Sequence, residues 1–229
     1  MDDTLSKPSS AQLVSEIRKL GQTHGLNFVF TTFLELMATS LATELDPLHQ
    51  EERNSRCNEI ISGLSSEAVS SYARMCALLY LAAREHVDEP CDILGEIYHE
   101  LQLNNEWNGQ FFTPDNICRM MAMMVNPADD KSVKENGYAT INDPTCGSGA
   151  MLIGSVWAMK QRGIDFQKKC LLVGQDIDIR CVWMAYIQLC LYEIPGIVIH
   201  ANTLTMEEWS YWYTPYSFPL LAKKGAAHE

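Results

Sequence analysis

Cations are scarce in this 229-residue chain: 17 Lys and Arg stand against 29 Asp and Glu, a net charge of −12. A protein that grips nucleic acid unaided usually carries a basic face. Three arrangements stay open: a local basic cleft hidden in the total, nucleic-acid contact left to a partner chain, or none. An acidic surface that mimics nucleic acid is also compatible with the charge. No run of about 18 apolar residues exists, which argues against a membrane span. The acidic start, Met1-Asp2-Asp3-Thr4, lacks the apolar stretch of a secretory signal, so the expected location is the cytosol. Eight cysteines (57, 76, 91, 118, 146, 170, 181 and 190) include no C-x-x-C pair and no Cys/His cluster at zinc spacing. They read as buried thiols rather than as a metal site. No internal repeat or low-complexity segment is present.

Hydrophobic residues make up 47% of the chain, enough for a packed core. The first hundred residues read as helices. Apolar positions at helical period mark residues 11–20 and 28–45, and Pro47 suits the start of a further helix leading to Ile60, Ile61 and Leu64. Ser65-Ser66-Glu67 caps a helix running to Arg84, and Pro90 and Asp92 open one over 93–101. The polar cluster at 104–109 makes a boundary. Beyond it lie a short helix over 115–125, a charged loop over 128–137, and then alternation. Strands are expected at 138–142, 170–174 and 197–200, with helices at 150–162 and 179–192. That order implies a parallel, doubly wound sheet.

In such a sheet ligands sit beyond the C-terminal strand ends. Asp143-Pro144-Thr145-Cys146-Gly147-Ser148-Gly149 follows the first strand. Its two glycines let backbone approach a ligand without a Cβ clash, and Asp143 is suited to pair with a cationic group such as an ammonium. Asp176, at the end of the next strand, is placed to accept both hydroxyls of a ribose; Ile177 suits a purine face, and the amide of Asn202 an adenine edge. A dinucleotide fingerprint would need a third glycine where Leu152 stands, and a phosphate loop would need a G-K-[ST] ending that is absent.

Residues 92–204 resemble the methyltransferase (M) subunit of type I restriction-modification systems, an adenine-specific DNA methyltransferase family. The resemblance rests on five stretches in family order: Asp92-Ile93-Leu94-Gly95-Glu96-Ile97-Tyr98; residues 109–114; residues 143–150; Gly174-Gln175-Asp176-Ile177-Asp178; and Gln188-Leu189 through Ile194-Pro195-Gly196 to His200-Ala201-Asn202-Thr203-Leu204. It implies an α/β fold in which a helical N-terminal domain, 1–104, precedes a truncated, Rossmann-like S-adenosylmethionine-dependent methyltransferase domain, 105–229. It implies that Phe111, Phe112, Thr113 and Pro114 flank the methionine end of S-adenosylmethionine. Asp143, Thr145, Cys146, Gly147, Ser148 and Gly149 would cradle that cofactor. Asp176 would hold the ribose, Ile177 the adenine, and Asn202 and Leu204 would complete the adenine side. Asn202 stands where the family usually has an Asp that contacts the adenine amine, so an acceptor oxygen is kept and a charge lost.

The family's Asn-Pro-Pro-aromatic motif is missing. Its Asn oxygen and a proline carbonyl accept hydrogen bonds from the target amine, and its ring stacks on the flipped base. The nearest stretch is Thr214-Pro215-Tyr216 after the aromatic run 209–213, which a generous reading makes a fourth strand; the plainer reading has those aromatics cap a shortened sheet or meet a partner. Asn126-Pro127 precedes the first strand and cannot serve. Only about 25 residues follow Asn202, fewer than the remaining sheet needs. The expected protein binds S-adenosylmethionine but does not methylate DNA alone, and works with restriction-modification-type subunits or a second copy of itself, reaching DNA through a partner. A non-catalytic regulator or anti-restriction decoy, and an interaction module with a vestigial pocket, stay open beside it.

Overall fold

The computed structural model describes residues 7–43, 49–103, 111–125, 133 and 137–226. The chain divides into two compact units: Met1–Val87 with Ile93–Phe111, and Asp88–Asp92 with Phe112–Glu229. The boundary expected at 104/105, the helix start at Pro47, Asn126-Pro127 and most of the charged loop 128–137 lie outside the described residues.

The first unit is helical: α1 (Ser9–His24), α2 (Leu26–Ala42), α3 (Gln50–Ser62), α4 (Ser66–Glu85) and α5 (Ile93–Glu100). Helix α2 is buried along most of its length, through Val29, Phe30, Phe33, Leu34 and Met37, because its apolar residues cover more than one stripe. Around it lie Leu13 and Ile17 of α1, Met75 and Leu79 of α4, and Leu94 and Tyr98 of α5, all buried. Gly25, at φ 85, makes the sharp turn between α1 and α2. Two caps follow from sequence chemistry. The hydroxyl of Ser65 accepts the Ala68 N–H at 3.2 Å. At α1, where Pro8 offers no cap, the Glu85 carboxylate accepts from the Ser9 hydroxyl at 2.5 Å and places negative charge at the helix start.

The second unit carries α6 (Asp115–Met124), β1 (Ala139–Asp143), α7 (Ala150–Gln161), the single turn α8 (Phe166–Lys169), β2 (Cys170–Asp176), α9 (Ile179–Leu191), β3 (Gly196–Asn202), β4 (Glu207–Tyr213), a 3-10 turn at Pro215–Ser217, and α10 (Phe218–Ala226). Strand order is β1-β2-β3-β4. The first three strands are parallel, with Asp143 beside Gly174 and Asp176 beside His200. Leu152 of α7 and Leu189 of α9 pack against Gly174 and Gly196, and so cover one face of the sheet. The other face receives α10, whose Leu220 joins Tyr138 and Leu171 with Val173 and Ile197 around it. The α/β class expected from the sequence therefore holds, with two corrections. Strand order runs one way without reversing among the described residues, so the second face is covered by the C-terminal helix and not by a crossover.

The second correction concerns the aromatic run. Residues 209–213 do form a strand, but β4 pairs antiparallel to β3, Val198 opposite Trp212. It lies at the far end of the sheet from β1. Trp212 is 6% exposed and its ring centroid is 5.4 Å from that of Tyr186 on α9. On the other face Tyr211, Tyr213 and Phe218 stack in series. Thr214 is wholly buried. Its hydroxyl accepts the Gly196 N–H at 2.9 Å and donates to the Ile194 carbonyl at 2.8 Å, which ties the end of β4 to the start of β3.

Candidate functional site

The glycine turn begins where β1 ends. The Asp143 carboxylate accepts the Thr145 N–H at 3.2 Å, closing a local turn. The Cys146 N–H donates to the Gln175 carbonyl at 2.8 Å, and the Gly149 N–H to the Cys146 carbonyl at 2.8 Å. Gly147 (φ 54) and Gly149 (φ 92) hold left-handed conformations, and Gly149 opens α7. A Cβ on Gly147 would come within 3.0 Å of the Phe112 ring, and one on Gly149 within 3.2 Å of Ala185. These positions need glycine for backbone conformation and for space.

Asp176 sits beneath this turn, 8% exposed. One carboxylate oxygen accepts the Gly147 N–H at 2.9 Å, the other the Asp178 N–H at 2.9 Å. Burial pushes its pKa above the usual carboxylate value, and the N–H donors of Asp178 and Gly147 pull it partly back. Burial also raises Asp143, offset in part by the Thr145 N–H. Two carboxylates that resist ionisation thus flank one turn, ready to gain from a cationic or hydroxyl-bearing ligand. Cys146 is not a nucleophile here: burial, then the Asp176 and Asp143 charges, hold its thiol far above its ordinary value.

A buried ring of hydrogen bonds holds the turn from within. Asp92, Ser148 and Gln188 are 4%, 0% and 1% exposed. The Ser148 hydroxyl donates to one oxygen of Asp92. The Gln188 amide donates to the other at 2.8 Å and to the Ser148 carbonyl at 2.9 Å. Ser148, expected among the cofactor contacts, thus directs its hydroxyl into the core. Sequence reading had Asp92 open a helix and quoted Gln188 in a motif, but gave neither a role at the turn. The signal was a polar Gln inside the apolar helix Ile179–Leu191, where an unpaired amide would be costly.

The remaining predicted residues divide. Phe112 covers Gly147. Thr113 is exposed, and Pro114 caps α6, its carbonyl accepting the Ile117 and Cys118 N–H groups. Phe111 clusters with the first unit, stacks on His99 at 6.3 Å and is 74% exposed. Ile177, beside Asp176, is 59% exposed. The Asn202 side-chain oxygen accepts the Leu204 and Thr205 N–H groups at 3.0 and 3.3 Å, and Leu204 itself projects into solvent. Thr203, quoted in the matching stretch but given no role there, joins this loop to the turn: its hydroxyl donates to the Pro144 carbonyl at 2.6 Å and accepts from the Gln175 amide at 2.8 Å. The C-terminal ends of β1, β2 and β3 are thereby bound into one edge.

A cavity of about 860 Å³ lies within the first unit, lined by Lys7, Ser15, Arg18, Arg74 and others. Arg74 and Arg18 pair there with Glu16 and Glu100 at 3.3 and 3.6 Å. It gathers neither a glycine turn nor a strand end, so size alone does not make it the better candidate. Among the described residues no single helix is long and apolar enough to cross a membrane.

The sequence pattern of the family described as N-6 DNA methylase matches residues 89–218. No curated protein matches. Among solved structures the chain is similar to the type I restriction-modification system methyltransferase subunit from Streptococcus thermophilus. Identity is 18% and the TM-score 0.43, over 88% of this chain and 40% of that one. The chain thus spans about two fifths of that subunit's length.

Proposed function

The chain belongs to the N-6 DNA methylase family, and from that premise we propose that its glycine turn binds S-adenosylmethionine and that it serves DNA adenine methylation in the cytoplasm, in company with restriction-modification-type subunits. The observation that carries the reading is the convergence of Gly147, Gly149, Asp143 and Asp176 at the C-terminal ends of β1 and β2. The groups there suit the cofactor. Asp143 would hold the ammonium of the methionine part, bare backbone at Gly147 and Gly149 would lie along it, Asp176 would take the ribose hydroxyls, and exposed Ile177 would face the purine. When bound, the cofactor supplies a methyl group activated as a sulfonium. The chain's own residues position it. Asp143 and Asp176, disfavoured as anions by burial, gain from its positive charge and its hydroxyls.

A second reading is that the protein acts by binding, as a regulator or an anti-restriction decoy. Thr214 favours it. Its hydroxyl and backbone are committed to β3, and β4 lies at the opposite end of the sheet from Asp143, so the aromatic run does not bring an amine-positioning group to the turn. Titration calorimetry with S-adenosylmethionine tests the pocket: binding that weakens in Asp176→Ala supports it, and no heat from the wild type refutes it. Transfer of labelled methyl to DNA, with and without a specificity-type subunit, then separates the two readings. Transfer only with the subunit supports the first, and none in either mixture the second.

A further inference from the structure

We infer that Asp92 is a positioning residue for the glycine turn, so that ligand affinity at the turn depends on a carboxylate 56 residues away in sequence. This rests on the S-adenosylmethionine reading above for its ligand. The chain enters the second unit briefly at Asp88–Asp92, while the residues on either side of that strap cluster with the helical unit. Three anchors hold the strap. Glu89 pairs with Arg119 at 3.4 Å. The Tyr192 hydroxyl donates to the Cys91 carbonyl at 3.0 Å and accepts the Cys91 N–H at 3.4 Å. Asp92 completes the ring with Ser148 and Gln188.

That ring acts on the one residue between the two left-handed glycines. Ser148 is gripped at its hydroxyl by Asp92 and at its carbonyl by Gln188, and these two grip each other. The Gln188 bond to the Ser148 carbonyl sets the Ser148–Gly149 peptide plane, which carries the Gly149 N–H that reaches Cys146, and anchoring Ser148 limits the backbone that leads back to the Gly147 N–H that reaches Asp176. A turn built on two glycines has many backbone conformations open to it; a closed buried ring selects one. Removing the carboxylate leaves the Ser148 hydroxyl and the Gln188 amide short of an acceptor in the core. The turn then relaxes toward water and the pocket loses its shape. Coupling between two sites is reciprocal, so a ligand that fixes the turn also tightens the strap.

The test uses the full chain, S-adenosylmethionine as the probe, and four proteins. Asp92→Ala is expected to weaken binding by about tenfold or more, the loss that a buried unsatisfied group produces. Asp92→Asn is expected to stay within about threefold of wild type, because a serine hydroxyl accepts as readily as it donates and the new amide can donate to it. Leu79→Ala, a cavity in the first unit, lowers stability without touching the ring and is expected to leave affinity unchanged. Should Asp92→Ala fail to fold, Ser148→Ala takes its place with the same expectation. Amide exchange supplies a readout that needs no ligand: Asp92→Ala should speed exchange across residues 145–149. In the wild type, S-adenosylmethionine should slow exchange at residues 88–92, and that protection should vanish in the Ala variant. A folded Asp92→Ala that binds as tightly as wild type, or that leaves exchange at 145–149 unchanged, overturns the proposal. A wild type that binds no S-adenosylmethionine defeats the functional reading, and the ligand-free exchange then decides the ring by itself.

Discussion

Gly149→Ala should destabilise the second unit far more than Gly163→Ala, although both replace a glycine at positive φ. Gly149 sits at φ 92 and Gly163 at φ 66. Holding a side chain in such conformations costs on the order of 1–3 kcal/mol, and the stiffer unfolded chain returns about 0.4–1 kcal/mol. The two sites differ in space. A Cβ at Gly163 meets nothing within 4 Å, while one at Gly149 lies 3.2 Å from the Ala185 Cβ and 3.3 Å from its Cα. Ala185 is wholly buried in the middle of α9, so backbone and not a side-chain tip must move. Overpacking of that kind adds about 1–3 kcal/mol. The expected losses are about 3 kcal/mol for Gly149→Ala and about 1 kcal/mol for Gly163→Ala. Urea unfolding followed by tryptophan fluorescence measures both, and a gap of about 2 kcal/mol is the signature. Because Gly149 closes the turn onto Cys146, S-adenosylmethionine affinity should fall in the first variant and stay level in the second. Equal losses of stability in the two proteins would refute the claim that close approach of α7 to α9, and not backbone conformation alone, demands glycine at the turn.

Asn202→Asp is expected to strengthen S-adenosylmethionine binding severalfold: two backbone N–H groups hold the amide oxygen, so under the proposed pose the remaining amide atom would be a donor set against a purine amine that also donates, and calorimetry showing no gain would refute this. Asp143→Asn should stabilise the unit at neutral pH and weaken binding of the cationic cofactor. The sign follows from burial: the folded Asp143 pKa is raised, so stability present below the unfolded value of about 3.9 is lost as pH rises through the folded value. Stability curves of the two proteins should converge in acid and diverge above it, and parallel curves would contradict the shift. Thr214→Val should cost about 1–3 kcal/mol by leaving the Gly196 N–H and the Ile194 carbonyl unpaired, with cofactor affinity unchanged; a stable variant that lost affinity would give Thr214 a role at the site instead.

Both units show which features were legible along the chain. Helix α4 begins one residue after Ser65 because the hydroxyl cap is local chemistry. Strand β2 runs two residues past its expected end, to Asp176, since pairing with β3 carries it on where apolar patterning stops. The orientation of β4 was in fact written in the sequence. Four residues, 203–206, separate it from β3, and a parallel neighbour needs a crossover of a dozen or more. Aromatic content suggested the strand only on the more generous of two readings, and connection length, properly weighed, would have favoured and oriented it. Ser148 was placed at the ligand because it lies between two glycines of a motif, but its hydroxyl points into the core, where its partner comes from a distant segment.

The helical first unit, the three parallel strands, the glycine turn and the family could be read along the chain, because periodicity, capping and turn chemistry act between residues close in sequence. Which partners hold the turn's residues depended on packing between distant segments. Asp92 and Gln188 are 96 positions apart, and Gly147 and Asp176 are 29 apart. No local preference can report which of many polar residues a folded core will bring within 3 Å of one another; that is settled when β1, β2 and α9 pack and their buried polar groups must find partners.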